Sequence, residues 1–521
     1  MISKGIKKDL LGRVFAVIVF ALLTLFGFVF SIYLIYNANN AYTYFLAFSY
    51  LILSIVAGLF NTFTAYSYYR SYLYDEYLDK IKDSLSPMNT FPSVAVAIAT
   101  FNEDPKIVIK NMKQLRKLDY PKDKIVFYML DDSNDKTKIN QIKKASKIYN
   151  YIYINREDRR GYKAGALNNL MNITKEEFIA VFDYDEYLTN TKFLKDLLPY
   201  FQDKKLAYIQ TEKRYRKYSF FSDTIDLFDA FFFKFIQPSR ALNNTAIFAG
   251  SCGIIKTSCL KEIGGFPEYV IEDTFFSFES DVHGFKSLYV PKVYAYGKPI
   301  KTFTELVKQQ WRYNYGDTQF LGYFIEKLRR KNTKKVLSPL SNVDYMTHGF
   351  GLNYISVMLV LFTLISIFIV FSQLPIAKIN LSNVLSAQYL SFDLELLGIG
   401  ALFVSIIAPI IITKVYFNSV RKGIMIFLLN FALAFIRAKA AFAAIFRKKY
   451  RVVWERKNKN NYKYGRILYA AKNSIMEVSF AIFLFILGVI AVIINNVFGG
   501  MWLFWYGILY ASTIFMFYKY R

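Results

Sequence analysis

The chain has 521 residues, of which 54% are hydrophobic and 19% aromatic, and its 66 Lys and Arg exceed its 39 Asp and Glu by a formal net charge of +27. This length allows two or three domains, and the apolar excess argues against an ordinary soluble protein. The basic residues carry no zinc, homeodomain or RNA-binding signature, so the charge favours membrane lipids and a phosphate-bearing substrate over nucleic acid.

Six largely apolar runs predict helices that cross a membrane. Each run is close to the roughly 20 residues that a spanning helix needs. Several are flanked by Tyr, Trp and Lys, which is typical of membrane interfaces. We predict two spans within residues 1–90, at 14–36 and 42–66, and four within residues 347–521, at 350–372, 396–413, 475–497 and 502–518.

The distribution of Lys and Arg predicts how these spans are oriented. Basic clusters lie at both termini and throughout the long segment between the second and third spans, which places these parts in the cytoplasm by the positive-inside rule. A topology with six crossings and both termini inside places every loop in agreement with this rule. The loops predicted to lie outside are 37–41, 373–395 and 498–501, whose only basic residue is Lys378.

A further apolar stretch at 424–446 does not fit as a crossing. Basic clusters flank it on both sides, and Arg437 and Lys439 lie in its middle. Burying two cations in the hydrocarbon layer costs several kcal/mol. We therefore predict a helix or helix pair in the cytoplasmic interface.

The segment at 91–300 has a different pattern, in which short apolar runs alternate with helix-like stretches. This alternation predicts an α/β domain with a mainly parallel sheet covered on both faces. In such sheets, ligands bind outside the carboxyl ends of the strands. The predicted strands are 93–100, 124–130, 151–155 and 178–182, and the predicted helices are 107–118, 136–149 and 164–172.

Acidic side chains follow three of these strands. Glu103 follows the first, Asp131 and Asp132 the second, and Asp183 and Asp185 the fourth. An isolated Asp after a strand is more often a turn residue or an N-cap, but three acidic groups at one edge favour a ligand site. Asp183 and Asp185 are separated by one residue and point the same way in an extended chain. Their hard oxygen ligands suit Mg²⁺ or Mn²⁺.

With these residues, the chain resembles the membrane-integrated glycosyltransferases of family 2, the group that contains cellulose, chitin and hyaluronan synthases. The motifs extend from about residue 90 to about 320. The resemblance implies a GT-A glycosyltransferase domain inserted in an α-helical transmembrane bundle, with interfacial helices at 301–346. Two helices before the domain and four after it are most similar to hyaluronan synthases, although topology does not determine the sugar.

The resemblance implies a site for a UDP-sugar and a divalent cation. In the family, the first Asp cluster binds uridine, a Lys in K-A-G-x-L-N contacts the diphosphate, and D-x-D holds the metal. The Arg of Q-x-x-R-W would stabilise the leaving group, and an interfacial position facing lipid phosphate is the less favoured alternative. The nucleotide-sugar residues implied are Thr100, Glu103, Asp131, Asp132, Lys163, Asp183 and Arg312, and the implied metal ligands are Asp185 and Asp183, with Mg²⁺ or Mn²⁺ as cofactor.

The resemblance also implies a catalytic base and an acceptor pocket. The base of the family is the last residue of an E-D pair, which falls on Asp273. A carboxylate can take the proton from an acceptor hydroxyl, but IEDTFFSFE also has the pattern of a helix start, so capping is the alternative role. The acceptor residues implied are Phe248, Gly250, Ser251, Cys252, Glu272, Gln309, Trp311 and Tyr313.

Several positions depart from the family pattern. Tyr313 stands where the family has Trp, with Trp311 two positions earlier, so the identity of the acceptor is open. Glu186 stands where some cellulose synthases have a metal-binding His, and its role is also open. Cys252 could equally be a small packing residue.

The leading functional hypothesis is an inverting, metal-dependent synthase of the plasma membrane, which elongates a polysaccharide from a UDP-sugar on the cytoplasmic face and translocates it. The alternative is a single transfer onto a membrane lipid acceptor, of the ceramide or polyprenyl-phosphate type. A transporter with a regulatory nucleotide-binding domain is disfavoured because the spans carry few ionisable groups.

Overall fold

The computed structural model describes residues 4–88, 90–330, 337–372, 410–446 and 466–521. The chain divides into two compact units. We call them the sheet unit, which comprises Arg70–Pro299 and Gln319–Gly349, and the helical unit, which comprises the residues up to Tyr69, Ile300–Thr318 and Phe350–Arg521.

The sheet unit is built on an eight-stranded sheet with the strand order β3-β2-β1-β4-β7-β6-β8-β5. Polar turns and helices connect the strands. The strands are β1 (Val94–Thr100), β2 (Ile125–Asp131), β3 (Ile152–Ile154), β4 (Phe178–Asp183), β5 (Tyr187–Leu188), β6 (Leu206–Tyr215), β7 (Gly253–Lys256) and β8 (Lys286–Gly297).

The first four strands form a parallel half-sheet, as the alternating pattern predicts. Successive side chains of β1 point to opposite faces, so Val96 and Ile98 enter one core and Ala95 and Ala97 the other. Both faces are buried, which is why the strand reads as a continuous apolar run. The connecting helices are Pro105–Leu115, Lys136–Ile148 and Tyr162–Ile173.

The second half of the sheet is mixed, and the prediction of a mainly parallel sheet holds only for the first half. β7 lies antiparallel to both β4 and β6, whereas β6 and β8 are parallel. The sequence LAYIQTEKRY of β6 turns polar halfway, so it lacks the apolar run that marks β1 to β4. The α-helices in this half are Phe193–Leu197, Phe220–Phe231, Gln237–Ala241, Thr257–Ile263 and Glu272–Val282.

Long helices make up the remainder of the described chain. Four of them are long and apolar enough to cross a membrane, and the number rises to six if each of two bent helix pairs counts as one span. The helices are Lys4–Tyr36, Ala41–Ser84, Phe303–Leu328, Pro339–Val370, Val420–Ala432, Ala434–Phe446, Arg466–Asn473, Ile475–Ile493 and Val497–Lys519.

Most of the predicted spans coincide with these helices. The spans at 14–36, 42–66, 475–497 and 502–518 fall on the four candidate membrane helices. The span at 350–372 falls largely on the second arm of a bent pair, Pro339–Gly351 and Tyr354–Val370. The predicted span at 396–413 and the loop at 373–395 lie largely or wholly outside the described residues.

The stretch at 424–446 forms two helices, Val420–Ala432 and Ala434–Phe446, with a bend of 44° between them. Arg437 is 0% exposed inside the helical unit. Its Nε donates to Gln310 Oε1 at 3.0 Å, and its Nη1 donates to Asn430 Oδ1 at 3.3 Å. Amide oxygens therefore solvate the buried cation, while the location of the helix pair in the interface remains a prediction.

Candidate functional site

The carboxyl ends of three neighbouring strands bring the predicted site residues to one edge of the sheet. In the parallel register, Thr100 at the end of β1 is the partner of Asp131 at the end of β2. On the other side of β1, Ala99 is the partner of Asp183 at the end of β4. Residues far apart in the chain therefore become neighbours because parallel strands end together.

The two Asp residues after β2 are both buried but have different partners. Asp131 is 0% exposed, and its carboxylate accepts hydrogen bonds from Ser133 N at 3.0 Å and from the Tyr153 hydroxyl at 2.8 Å. Asp132 is held by Arg156, whose Nε and Nη2 donate to the two carboxylate oxygens. Asp131 therefore shapes the turn, and Asp132 is the member that retains some exposure.

Other groups beside Asp132 suit a planar ligand with hydrogen-bonding groups. The Thr100 hydroxyl is buried and has no hydrogen-bond partner among the described residues, so a ligand could satisfy it. The guanidinium of Arg159 lies 3.1 Å from the centroid of the Phe101 ring. Glu103 is half-buried in the loop that follows β1. Arg156 and Arg159 had no sequence signal of their own, because basic residues are common throughout this chain.

Lys163 and Asp183 form an ion pair at the centre of the edge. Lys163 lies in the first turn of the helix Tyr162–Ile173, where backbone N–H groups also favour an anion. Burial would lower the pKa of Lys163, but Asp183 and Glu272 outweigh it and raise that pKa. Burial would likewise raise the pKa of Asp183, but Lys163 and Lys213 hold it below its usual range. Both groups are therefore charged at neutral pH.

A glycine in the KAGALN motif allows this helix to begin so close to the preceding turn. A side-chain Cβ at Gly165 would lie 2.0 Å from the carbonyl oxygen of Arg160, which no Cβ can do. The chain therefore needs glycine at this position to place Lys163 against Asp183.

Asp185 has a different environment from Asp183. Its pKa is raised to about 7, first by burial and then by the negative charges of Asp183 and Glu186. Within the described residues, no hydrogen bond or ion pair engages its carboxylate. A cation would relieve this repulsion, so the donor chemistry of Asp185 fits a divalent metal ion.

The metal site would be only partly protein. No three His, Cys, Asp or Glu side chains come together as a metal-binding group in the described part of the chain. Mg²⁺ is commonly held by one or two carboxylates together with substrate phosphates rather than by a protein cage. Asp183 already pairs with ammonium groups, so Asp185 is the better placed of the two predicted metal ligands.

Glu186 is buried rather than facing solvent, with 3% of its surface exposed. Its Oε2 accepts from the backbone N–H of Asp183 at 2.9 Å, and its Oε1 lies 2.6 Å from the Ser251 hydroxyl. The same hydroxyl lies 2.8 Å from Asp183 Oδ2. Glu186 therefore ties the D-x-D turn to the FAGSC segment.

The FAGSC segment is a tight loop held by β6. Gln210 of β6 is fully buried, and its amide accepts from Ala249 N at 2.7 Å and donates to the Ser251 carbonyl at 3.0 Å. Gly250 and Cys252 have φ angles of 80° and 53°, in the left-handed region. We found no signal for Gln210 in the sequence, because β6 was not predicted.

Two members of this loop point into the core. The Phe248 ring is fully buried in the core on one face of the sheet, so its side chain packs rather than lining an acceptor pocket. Cys252 is 1% exposed, and burial raises the pKa of its thiol well above the usual value. This fits the packing role for Cys252, because a buried protonated thiol is inert.

Asp273 lies beside this loop at the start of the helix Glu272–Val282. A Cβ added to Gly250 would lie 3.1 Å from Asp273 Oδ2 and 3.8 Å from Lys163 Nζ, so both side chains adjoin the same backbone atom. Asp273 Oδ1 accepts from the N–H of Thr274 at 2.9 Å, a contact typical of a helix start. One oxygen therefore contacts the helix, and the other faces the glycine.

The KQQWRYNYG residues lie on the helix Phe303–Leu328, in the part that belongs to the helical unit. Gln309 Nε2 donates to the Tyr313 hydroxyl at 3.3 Å, and the Arg312 guanidinium lies 5.2 Å from the centroid of the Tyr313 ring. Trp311 is half-buried. The roles of these residues toward a substrate remain predictions.

The sequence is similar to known glycosyltransferases. The family described as "Glycosyltransferase like family 2" matches residues 92–316, which include every predicted site residue. The "Cellulose synthase catalytic subunit [UDP-forming]" of Pseudomonas fluorescens (strain SBW25) is 31% identical over 237 residues, which cover 44% of this chain and 31% of that protein. The "Probable glucomannan 4-beta-mannosyltransferase 7" of Oryza sativa subsp. japonica is 29% identical over 244 residues, covering 43% and 40%. The chain spans less than half the length of these curated relatives.

Among solved structures, the chain is similar to the mannosyltransferase PcManGT from Pyrobaculum calidifontis in complex with GDP-Man and Mn²⁺. The TM-score is 0.47 at 15% identity, and the match covers 76% of this chain and 97% of that one.

Proposed function

We propose that the protein transfers sugar from a UDP-sugar to a growing polysaccharide, because residues 92–316 match the family described as "Glycosyltransferase like family 2". Transfer would invert the anomeric configuration, depend on a divalent metal ion and take place on the cytoplasmic face of the plasma membrane. The apolar helices would translocate the product. This proposal is supported by the candidate membrane helices and by the polymer synthases among the relatives.

One observation carries the proposal. Asp273 Oδ2 and Lys163 Nζ both adjoin Gly250, and Lys163 pairs with Asp183. A carboxylate oxygen on one side and an ammonium group on the other are the two charges that sugar transfer from a diphosphate requires. The base accepts a proton, and the cation stabilises the charge on the departing phosphate.

In the proposed reaction, an acceptor hydroxyl attacks the anomeric carbon of the donor sugar. A bond forms between the hydroxyl oxygen and that carbon, the bond from the carbon to the diphosphate oxygen breaks, and UDP leaves with the electron pair. Asp273 takes the proton of the hydroxyl. Lys163 would stabilise the negative charge on UDP as it develops. The same role for Arg312, which belongs to the helical unit, stays a prediction from its motif.

The proposed metal ion, Mg²⁺ or Mn²⁺, would be held by Asp185 together with diphosphate oxygens, with Asp183 beside it. When bound, the ion neutralises charge on the diphosphate. The raised pKa of Asp185, which reflects its burial and two neighbouring carboxylates, supports this assignment.

The nucleoside would lie at the other end of the sheet edge. Asp132, fixed by Arg156, would bind the uracil ring, and the buried Thr100 hydroxyl would gain its missing partner there. Glu103 would add a polar contact. Asp131 would shape the turn rather than contact the ligand, since it is 0% exposed and its carboxylate accepts from Ser133 N and the Tyr153 hydroxyl.

The acceptor is proposed to be a polysaccharide, with a membrane lipid as the alternative. In the sheet unit, Gly250, Ser251 and Glu272 would contact the acceptor. The acceptor roles of Gln309, Trp311 and Tyr313, which belong to the helical unit, stay predictions from their motif; Gln309 Nε2 donates to the Tyr313 hydroxyl there. Incubating the purified full chain with a panel of radiolabelled UDP-sugars and Mn²⁺ and then sizing the product tests the proposal. We expect a polymer from one donor; a product of one sugar on a lipid would establish the alternative and exclude processive synthesis.

A further inference from the structure

Lys213 of β6 occupies a position that neither the sequence motifs nor the proposed reaction uses. Its ammonium donates to Ser251 Oγ at 2.6 Å and to the Ala249 carbonyl at 3.2 Å. It also lies 3.4 Å from Asp183 Oδ2 and 3.5 Å from Glu186 Oε1. Four oxygens from the D-x-D turn and the FAGSC loop therefore surround one cation, whose side chain is 21% exposed.

Without Lys213, the two carboxylates of Asp183 and Glu186 would have only one ammonium group in the described part of the chain, that of Lys163, to compensate them. Asp183 and Glu186 are both tied to the Ser251 hydroxyl, which brings their carboxylates to one atom. Lys163 compensates Asp183 from one side. Within the described residues, the ion-pair partner of Glu186 is Lys213, whose Nζ lies 3.5 Å from Glu186 Oε1. Removing a cation that compensates buried carboxylates leaves an uncompensated charge, which is strongly destabilising.

We propose that Lys213 is the built-in cation of this site. Its ammonium fills the oxygen-lined position between Asp183, Glu186 and the FAGSC loop, holds the loop against the D-x-D turn, and keeps Asp183 in place to pair with Lys163. The inference rests on the proposed function in that the site so ordered is the one that receives the nucleotide sugar. Lys213 is thus a positioning residue, and Glu186 is its counter-ion rather than a metal ligand.

With this assignment, Glu186 does not bind the metal ion, although some cellulose synthases have a metal-binding His at this position. Both of its carboxylate oxygens are engaged, one by the Asp183 N–H and the other by Ser251 and Lys213. Asp185 then remains as the carboxylate for a divalent ion. Among the described residues, no Lys or Arg forms an ion pair with it. The protein cation and the metal ion would occupy different positions.

The test measures the affinity of the purified full chain for UDP-sugar with Mn²⁺ in Lys213→Ala, Lys213→Arg, Glu186→Gln and the double variant Lys213→Ala/Glu186→Gln. We expect Lys213→Ala to bind at least about tenfold more weakly, and Lys213→Arg to bind within about threefold of the unaltered protein. The double variant should bind more tightly than Lys213→Ala, because the uncompensated carboxylate is gone.

Chemical rescue separates a positioned cation from a merely structural side chain. Ethylammonium added to Lys213→Ala should restore at least half of the lost affinity and raise the unfolding midpoint, whereas it should not affect the matched control Lys195→Ala, whose ammonium pairs with Asp119 at the surface. Unchanged binding by Lys213→Ala would overturn the inference. So would a loss that neither ethylammonium nor Glu186→Gln reduces.

Failure of the inference about Lys213 and failure of the proposed function give different results. If the unaltered protein binds UDP-sugar but transfers no sugar to any acceptor, the proposed function fails, while the binding and stability measurements still decide the role of Lys213. If the unaltered protein makes polymer but Lys213→Ala binds normally, only the inference about Lys213 fails.

Discussion

Asp185 and Asp183 show how two like residues, separated by one position, acquire opposite properties. Asp183 lies between two lysines, which hold its pKa below the usual range against the effect of burial. Asp185 is half-buried beside two carboxylates, and its pKa is raised to about 7. A D-x-D pattern predicts that both side chains point the same way. Their ionisation depends on neighbours contributed by other strands.

This difference predicts a pH dependence of metal binding. A metal ion binds the deprotonated carboxylate, so below about pH 7 it must displace the proton of Asp185. The Mn²⁺ affinity of the full chain with UDP-sugar should therefore fall as the pH drops below about 7, by up to about tenfold per pH unit, and level off above it. Calorimetric titration across this range measures the effect. Asp185→Asn should bind Mn²⁺ weakly with a flat profile, and a profile identical to that of the unaltered protein would exclude Asp185 as the ligand.

At Asp273, capping and catalysis are compatible because its two oxygens have different neighbours. Asp273→Asn keeps the shape but cannot accept the proton, so we expect a loss of sugar transfer of about 10²- to 10⁴-fold with UDP binding within about threefold. Steady-state rates and UDP binding measure the two effects. The control Asp203→Asn, which removes the surface pair with Lys286, should transfer normally. If Asp273→Asn transfers sugar at the rate of the unaltered protein, Asp273 is not the base.

At the scale of elements, the apolar pattern of the sequence predicted the parallel half of the sheet. It did not predict the conformation of the FAGSC loop. Strands β1, β2 and β4 are largely buried on both faces and therefore need apolar side chains along most of their length. β6 carries polar residues such as the buried Gln210 and the half-buried Lys213, which bind the FAGSC loop. A strand that carries polar contacts to a site loses the apolar pattern by which strands are recognised.

The loop conformation leads to a prediction at Gly250. A Cβ there would be strained at a φ of 80° and would press on Asp273 Oδ2 at 3.1 Å. We expect Gly250→Ala to lose about 1–3 kcal/mol of stability and also most of its transfer rate, because Asp273, the proposed base, is displaced. Gly264→Ala is a matched control: its φ is 90°, but nothing lies within 4 Å of its added Cβ.

Thermal unfolding and transfer assays of the two glycine variants separate backbone strain from the displacement of the base. Both variants should be destabilised, and only Gly250→Ala should lose activity beyond its loss of folded protein. Equal activities at equal folded fractions would mean that the contact between Gly250 and Asp273 is unimportant for transfer.

At the scale of the whole molecule, the buried Arg437 illustrates why charge inside an apolar stretch is an incomplete guide. Two basic residues in 424–446 predict an interfacial location. The structure satisfies Arg437 with the amide oxygens of Gln310 and Asn430. Amide groups on neighbouring helices can thus solvate a buried cation. The sequence alone therefore overstates the free-energy cost of burying it.

The orientation of the chain is directly testable. The positive-inside rule predicts that the 37–41 loop is outside and the sheet unit is cytoplasmic. Both natural cysteines are buried free thiols, so introduced cysteines can be labelled selectively. In intact cells, an impermeant maleimide should label Asn39→Cys but not Lys204→Cys, which should react only after permeabilisation; the reverse pattern would invert the topology.

The sequence by itself determined the class of fold, the helices able to span a membrane and the acidic edge of the sheet, because these depend on local apolar periodicity and on residues that directly follow a strand. The tertiary structure alone decided that Lys163 and Lys213 flank Asp183, that Glu186 is buried, and that Asp273 adjoins Gly250. These contacts join residues from different strands and loops. Their existence depends on strand order and register, which hydrophobic patterns along one chain do not encode.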